Sequence, residues 1–245
     1  MEMSVTEEEF LKSYDASEYE RPSVTVDLVL MSVKEGQLVA MLQRRPDHPF
    51  KGQWALPGGF IALNESVDDT AKRLLLAKAQ MEDCFLEQLY TFGETGRDPR
   101  TRVLSIVYFA LLPLHRFESA LDHRPDLMLA KLAVPWTGET GGPILASDAN
   151  GETLALAFDH SEILGLAVKR LRGRLDYSPI AFALLPNRFT LRELQMVHEA
   201  ILGTELNKPA FRRRMLDKGW IKATGKKESG KTFRPAELYQ LKQKD

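Results

Sequence analysis

The sequence is poor in cysteine and has no long hydrophobic run, and these two absences exclude several classes of protein. Cys84 is the only cysteine among 245 residues, so the chain cannot form an internal disulfide or a cysteine-rich zinc site. The longest apolar stretch, Val103–Leu114, is too short to span a bilayer. The first ten residues are acidic and lack the apolar segment of a signal peptide. We therefore expect a cytoplasmic protein with no membrane partner.

The net charge is also small, at −1, but the two parts of the chain differ in sign. Residues 1–186 carry 19 lysines and arginines against 27 aspartates and glutamates, whereas residues 187–245 carry 14 against 7. An acidic body followed by a basic segment indicates two domains with different partners, and the basic one is suited to a polyanion. A solvated charged surface is the alternative, because charge bears on binding rather than on fold.

The larger, acidic part of the chain alternates between strand and helix patterns. Residue type and apolar spacing predict, in chain order, a strand at Val24–Val33, a strand at Leu38–Gln43, a helix at Ser66–Met81 and a strand at Val103–Leu112. Ile144–Phe158 is predicted to form two short strands around an Asn-Gly turn, and Ser161 to cap the helix that follows. These elements predict a mixed α and β domain that ends near Arg174.

The C-terminal part carries a different set of signals. Pro179 is placed to open a short helix, and Thr190 and Glu193 form a capping-box pattern for a second helix that ends near Gly203. Asn207 can cap a third helix, and two strands around a glycine- and lysine-rich turn follow it. Three helices and a β-hairpin in this order predict a winged helix-turn-helix.

Residues 58–81, GGFIALNESVDDTAKRLLLAKAQM, carry the most informative motif of the first domain. They resemble the Nudix box, G-x5-E-x7-R-E-U-x-E-E-x-G-U with U apolar, the loop–helix–loop signature of hydrolases that act on nucleoside diphosphates linked to another group. Gly59, Glu65 and Arg73 fall at matching positions, and Leu75 and Met81 fill the two apolar ones. The resemblance implies a Nudix α/β/α sandwich for this domain.

The same motif lacks the acidic residues on which the chemistry of active members depends. Leu74, Ala77 and Lys78 stand where those members have glutamates, and Gln80 replaces the glycine. The missing carboxylates would hold Mg²⁺, which requires oxygen ligands, and help to activate the attacking water. We therefore predict a domain that keeps the fold, has no catalytic residues and requires no metal or other cofactor. Carboxylates from elsewhere, such as Glu94 or Asp98, are the alternative source of a metal site.

A site that has lost its metal can still bind a phosphorylated ligand. Lys78 could stand in for the cation, and arginines of the strand end at 44–45 and of the GRDPRTR segment, Arg100 among them, could hold phosphates through paired hydrogen bonds. A solvated lysine and surface ion pairs with Asp98 are the alternatives. The predicted ligand-binding residues are Arg44, Arg45, Gly58, Gly59, Glu65, Lys78, Arg97 and Arg102.

The third helix of the C-terminal domain combines an apolar side with crowded positive charge. Phe211, Met215 and Leu216 are expected to pack inward, and the basic remainder is suited to a major groove. The lysine-rich hairpin could grip the DNA backbone or minor groove, with an affinity that falls steeply as salt rises. The predicted DNA-contacting residues are Thr190, Arg192, Lys208, Arg212, Arg213, Arg214, Lys226, Lys227, Lys231 and Arg234.

Nearly the whole chain, from about Ser23 to Leu241, resembles the NrtR family of bacterial Nudix-related transcriptional regulators of NAD metabolism. The resemblance is carried by the degenerate Nudix box, GRDPR, AFALLP, FTLRELQ, LNKPAFRRRMLDKGWI and RPAELY. It implies an α+β chain with an N-terminal arm at residues 1–22, a ligand-binding Nudix domain at 23–174 and a winged helix-turn-helix domain, with its linker, at 175–245.

By the same resemblance, the protein is expected to be a homodimeric repressor of NAD biosynthesis or salvage genes. ADP-ribose or a related NAD metabolite would bind the Nudix domain and release double-stranded operator DNA. The two-fold symmetry of a dimer predicts a palindromic operator, and residues 176–188, which join the two domains, are the candidate for the moving joint. The leading alternative is an active pyrophosphatase, acting on ADP-ribose or a similar nucleoside diphosphate, with an accessory nucleic-acid-binding domain. A basic domain that meets RNA or a protein, and activation in place of repression, also stay open.

Overall fold

A computed structural model describes residues 6–82, 84–122, 124–228 and 235–242. Its helices are α1 (Glu7–Ser13), α2 (Val67–Ala79), α3 (His115–Leu121), α4 (His160–Arg174), α5 (Leu191–Leu202) and α6 (Lys208–Asp217), with short 3-10 helices at Ala16–Glu18 and Pro179–Leu184. Its strands are β1 (Ser23–Lys34), β2 (Gln37–Arg44), β3 (Trp54–Ala55), β4 (Gly58–Phe60), β5 (Glu87–Phe92), β6 (Val103–Leu111), β7 (Leu127–Ala133), β8 (Leu145–Ser147), β9 (Ile221–Lys227) and β10 (Glu237–Leu241). None of the helices in these ranges is long and apolar enough to cross a membrane.

Strand β1 lies inside the main sheet because its apolar, β-branched sequence suits burial on both faces. Within the described residues, the strand order is β5-β6-β1-β2-β7-β8, with β3 paired to β2 and β4 paired to β1. β1 runs parallel to β6 and antiparallel to β2, which follows it after a tight turn. The three strands predicted at 24–33, 38–43 and 103–112 coincide with β1, β2 and β6 to within one residue at each end.

Apolar residues cover both faces of the sheet, and helices bury them. Successive residues of a strand point to opposite faces. Val26 and Leu28 accordingly pack in the cluster that contains α2 and α3, whereas Val29 and Met31 pack in the cluster that contains α4. A sheet with helices on both sides is an α/β/α sandwich, and this confirms the fold implied by the Nudix-box resemblance.

The C-terminal domain follows the order that its capping signals predicted. The Thr190 hydroxyl accepts a hydrogen bond from the main-chain N–H of Glu193 at 3.2 Å, and the Glu193 carboxylate accepts one from the Thr190 N–H at 2.7 Å, so the capping box begins α5. Gly203 ends α5 with a φ of 71°, and Asn207 caps α6. β9 and β10 then pair antiparallel. The predicted winged helix-turn-helix is confirmed, and its first helix is the 3-10 helix at Pro179–Leu184.

Three local predictions differ from the structure. Asp159, and not Ser161, is the residue that precedes α4. In the segment 144–158, which is fully described, Leu145–Ser147 is the strand, and the residues after the turn form isolated bridges with Ser147 and Trp54. Leu216 is 42% exposed, because it lies a further 100° around α6 from the buried face.

The apolar core does not stop at the end of the sandwich. One continuous cluster of buried residues extends from α4 to Phe182, Leu194 and Phe211 of the winged helix. Arg172, near the end of α4, strengthens this junction, because its guanidinium donates to the main-chain oxygens of Ile201 at 2.8 Å and Gly138 at 3.0 Å. The winged helix is therefore packed against the sandwich through α4.

His198, a residue of α5 whose ring packs against Phe211 of α6, makes the stability of this domain dependent on pH. Burial lowers its pKa to about 4, whereas a histidine in the unfolded chain titrates near pH 6.5. The unfolded state therefore binds more protons between these values, so we expect stability to be complete above about pH 6.5 and to fall as the pH drops towards 4, by up to about 3 kcal/mol.

Denaturant unfolding at pH 7 and pH 5 tests this expectation. The variant His198→Gln cannot titrate in this range, so its stability should change less between the two pH values than that of the unmodified protein. The same change in both proteins would assign the pH dependence to other groups.

Candidate ligand cleft and nucleic-acid face

A cleft of about 200 Å³ opens beside the first residues of β1 and β6, on the side of the sheet that α4 covers. The β1–β4 pairing places Asp27 opposite Gly58 and Thr25 opposite Phe60 in its wall, and His160 of α4 completes it. Six of the eight predicted ligand-binding residues line this cleft, namely Arg44, Arg45, Gly58, Gly59, Lys78 and Arg97.

A larger cavity, of about 750 Å³, lies between the sandwich and the winged helix. Phe109, Phe182 and Phe189 contribute to its lining, and its Arg174 is paired with Glu87 at 2.5 Å. This cavity belongs to the junction of the two domains. We place the candidate ligand site in the smaller cleft, because cationic side chains from several elements converge there.

Carboxylates already neutralise two of the cleft arginines. Arg97 is buried and donates to both oxygens of Asp159, at 2.9 and 2.7 Å. Arg100 donates to both oxygens of Asp98, at 3.0 and 2.7 Å, and holds the pKa of Asp98 below its usual value. The alternative of ion pairing with Asp98 therefore applies to Arg100. Each paired contact fixes a guanidinium plane in the cleft wall.

The other cations of the cleft form no ion pair with a carboxylate of the described residues. Arg44 and Arg45 donate instead to main-chain oxygens of the loop after β2, at 3.2 and 2.7 Å. Within the described residues, neither they nor Lys78 forms an ion pair. Burial, and then the charge of Arg100, lower the pKa of Arg45. Positive charge therefore exceeds negative charge around this space, which favours an anionic ligand.

The substituted Nudix-box residues have definite places in the structure. Leu74 is 2% exposed and packs in the core, where its Cδ2 lies close to Gly59. Ala77 is exposed, and Lys78 lines the cleft. Across the described ranges, no group of three or more His, Cys, Asp or Glu side chains is arranged to hold a metal ion. Leu74 and Ala77 offer no oxygen ligand for Mg²⁺ at their two positions of the box.

Two predicted ligand-binding residues lie outside the cleft lining. Glu65 accepts hydrogen bonds from Arg73 at 2.6 and 2.8 Å and from Thr70 at 2.7 Å, and these bonds lower its pKa to about 2. Glu65 and Arg73 thus hold the loop to α2 rather than pointing at a ligand. Arg102 donates to a main-chain oxygen at 3.0 Å, and Arg100 lines the cleft in its place.

Asp27, His160 and Phe158 are among the cleft residues that the sequence prediction missed. Asp27 is the one charged residue in the predicted strand 24–33, and this was a signal that could have found it. His160 accepts a hydrogen bond at its Nδ1 from the Leu56 N–H at 2.9 Å, so this nitrogen carries no proton and the ring is neutral, and burial lowers the pKa of the ring. Phe158 has a φ of 54° and lies under the Arg45 guanidinium at 4.8 Å. Such backbone strain clusters at functional sites, but no local sequence signal announces it.

The exposed positions of α6 and its neighbours form the candidate nucleic-acid face. In a helix-turn-helix the second of the two helices, here α6, is the one that enters the major groove. Seven of the ten predicted DNA-contacting residues are exposed, namely Arg192, Lys208, Arg212, Arg213, Arg214, Lys226 and Lys227. Their charges are therefore accessible to phosphates.

Four of the predicted DNA contacts, including Arg214 from these seven, require a separate description. Thr190 is 4% exposed and its hydroxyl is used in the capping box, so the structure does not support it as a DNA contact. Arg214 is exposed, but it turns towards the end of α4, where its Nη1 lies 3.7 Å from Asp176. Lys231 and Arg234 lie outside the described residues.

The fold and the site together define a Nudix-type sandwich with a cationic cleft, joined to a winged helix with a basic surface. Family descriptions match both parts: the NUDIX domain at residues 21–132 and the NrtR DNA-binding winged helix domain at residues 181–241. A relative from Acinetobacter baylyi, the ADPR responsive transcriptional repressor NtrR, is 36% identical over 98% of this chain and 90% of its own length. The chain belongs to the NrtR family.

Two solved structures extend this comparison. NrtR of Shewanella oneidensis, crystallised with a 27mer DNA, is 34% identical and has a TM-score of 0.73, over 89% of this chain and 93% of that one. The NUDIX domain of the same protein, crystallised with ADP ribose, is 31% identical and has a TM-score of 0.54, over 68% of this chain and 99% of that one. Both likenesses include the sandwich that carries the cleft.

Substitution of Gly58 by alanine tests whether the cleft wall is closely packed at this position. A Cβ at this position would lie 2.1 Å from Asp27 Oδ1 and 2.9 Å from the main-chain oxygen of Val26, so Gly58→Ala must displace β1 or β4 and should destabilise the fold by about 1–3 kcal/mol. Gly96→Ala is the matched control, because a Cβ there meets nothing within 4 Å. Urea unfolding of both variants gives the comparison, and equal stabilities would show that the wall yields easily.

Proposed function

We propose that this protein is a transcriptional repressor whose Nudix domain binds ADP-ribose or a related NAD metabolite and thereby releases operator DNA. The observation that carries the proposal is the presence, in one chain, of a cleft with excess positive charge and of an exposed basic helix, α6. The relatives support it, since one is a repressor responsive to ADPR and the solved NrtR chains were crystallised with DNA or with ADP ribose. Genes of NAD biosynthesis or salvage are the proposed targets.

We further propose that the Nudix domain does not hydrolyse its ligand and requires no metal. Leu74 and Ala77 offer no oxygen ligand, and Arg73 engages the Glu65 carboxylate. Asp98, one of the two alternative carboxylates, is engaged by Arg100. In this account Lys78 supplies positive charge where active members would hold Mg²⁺, and a diphosphate binds without being activated for attack.

A homodimer and a palindromic operator are part of the proposal. Two chains related by a two-fold axis would present two α6 helices to major grooves one or two helical turns apart, so the operator would share that symmetry. The protein would act in the cytoplasm, where the chromosome of a bacterium lies.

The proposal is tested by turnover and gel-shift measurements on the full chain. With ADP-ribose and Mg²⁺ present, we expect no multiple turnover to AMP and ribose phosphate. With the DNA upstream of its own gene, and with competitor duplex present, we expect a specific complex that weakens with salt and dissociates when ADP-ribose is added. A double variant, Arg212→Ala with Arg213→Ala, should lose the DNA complex and keep ligand binding.

Two outcomes would redirect this proposal. Steady production of AMP would favour the pyrophosphatase alternative. Loss of all DNA preference under competition would favour an RNA or protein partner for the basic domain.

Helix α4 offers a physical route from the cleft to the DNA-binding surface. Its first turn lies in the cleft, where Asp159 binds Arg97 and His160 forms part of the wall. At its other end the buried Arg172 donates to the C-terminal turn of α5, and Asp176 lies beside Arg214 of α6. An anion that draws Arg97 away from Asp159 would therefore act on the helix that supports α5 and α6. In this proposal the joint at residues 176–188 follows directly after α4, and its first residue, Asp176, lies beside Arg214 of α6.

Two arginines of α4 allow a matched test of this route. Arg172 donates to carbonyls of both domains, whereas Arg170 donates to the main-chain oxygen of Leu89 within the sandwich, at 3.1 Å. Lysine cannot reproduce the fork of guanidinium donors. We expect Arg172→Lys to reduce severalfold the ratio of DNA Kd values with and without ADP-ribose, and Arg170→Lys to leave it unchanged. Fluorescence anisotropy with labelled operator measures the ratio, and equal ratios in the two variants would exclude Arg172 as the link.

A further inference from the structure

A buried carboxylate lies within the cationic cleft. Asp27 is 8% exposed, is carried by β1 and lines the same space as the arginines. One of its oxygens, Oδ2, accepts a short hydrogen bond from the hydroxyl of Ser105. The other, Oδ1, has no hydrogen-bond donor within the described residues and lies against Gly58, where the absence of a side chain leaves it room.

The Asp27 carboxylate disfavours an anionic ligand, whereas the other charged residues of the cleft favour one. Arg44, Arg45 and Lys78 favour an anion, whereas a negative charge a few ångströms away repels one. Among the described residues, the hydroxyl oxygen of Ser32 is the only buried side-chain oxygen or nitrogen without a hydrogen-bond partner, so Asp27 Oδ1 is accessible from the cleft and can accept a hydrogen bond there. The hydrogen bond from Ser105 does not explain why residue 27 is negatively charged, because a serine hydroxyl can donate equally to a neutral acceptor of similar size. A ligand that brings its own donor to Oδ1 would resolve the conflict.

The surroundings restrict the chemistry of that donor. An amine that carries positive charge would be repelled by the cleft arginines, so the donor has to be a neutral group such as a hydroxyl. The space beside Asp27 is bounded by the backbone of Gly58 and the neutral ring of His160, within a cleft of about 200 Å³. A compact polyol attached to a phosphate matches both restrictions better than a purine does.

We propose that Asp27 is a specificity-determining residue of the cleft: its Oδ1 accepts a hydrogen bond from a hydroxyl of the sugar that follows the diphosphate, so that the cleft prefers nucleoside diphosphate sugars to the free nucleoside diphosphate. This inference rests on the proposed function, because it takes ADP-ribose as the ligand and assigns the recognition of its terminal ribose. The arginines and Lys78 then hold the diphosphate, and Asp27 distinguishes what is attached to it.

Calorimetric titration of the full-length protein with ADP-ribose and with ADP, in EDTA so that no metal contributes, tests this assignment. We expect Asp27→Ala to weaken ADP-ribose by about tenfold to hundredfold, the usual effect of removing a charged acceptor. ADP should bind as before or more tightly, because a negative charge has been removed from the cleft. Asp27→Asn keeps the shape and a neutral acceptor, and should show a smaller loss for ADP-ribose.

Ser105→Ala is the matched control, because it removes the hydrogen-bond partner of Asp27 but leaves the carboxylate in place. It should keep the preference for ADP-ribose over ADP, and melting temperatures of all variants establish that they fold. If Asp27→Ala and Asp27→Asn weaken ADP and ADP-ribose by the same factor, or leave ADP-ribose unchanged, Asp27 does not read the sugar and the inference is overturned. If the unmodified protein binds neither ligand, the proposed function fails and the inference fails with it.

Discussion

Helix α4 has to satisfy two sets of partners at once, and this constraint connects the ligand cleft to the DNA-binding domain. Its first turn is held in the cleft through the Asp159–Arg97 pair, and its last turn is held against α5 through Arg172. Between these ends its apolar side is buried in a core that both domains share. Tightly packed interiors transmit displacement rather than absorb it. A change at the cleft end is therefore expected to reach α5 and α6.

In the Nudix box of this chain, the residues that hold the loop to the helix are present, whereas other residues stand at the positions of the metal-binding glutamates. Glu65 and Arg73 form an ion pair that holds the entry loop to α2. Leu74 has become part of the core, and Lys78 has brought a positive charge to the cleft. In the proposed function, this cationic cleft holds a diphosphate, with Lys78 at a position where active members carry a metal-binding glutamate.

Much of the fold could be predicted from the sequence because the deciding signals are local. Apolar runs predicted β1, β2 and β6, and the capping residues Thr190 and Asn207 predicted where α5 and α6 begin. The site was harder, because its contacts join residues far apart in the chain. Spacing alone could not tell that Arg100 and not Arg102 would line the cleft, nor that Asp159 would neutralise Arg97. The positive φ of Phe158 and the burial of Asp27 likewise depend on tertiary packing.

The central claim is that one polypeptide couples ligand binding in the cleft to DNA binding by the winged helix, and this coupling has to be reciprocal. The most direct measurement is calorimetric titration of ADP-ribose into the free protein and into the protein saturated with operator DNA. The account predicts that operator weakens ADP-ribose binding by the same factor by which ADP-ribose weakens operator binding. Equal ADP-ribose affinity for the free and the DNA-bound protein would contradict it.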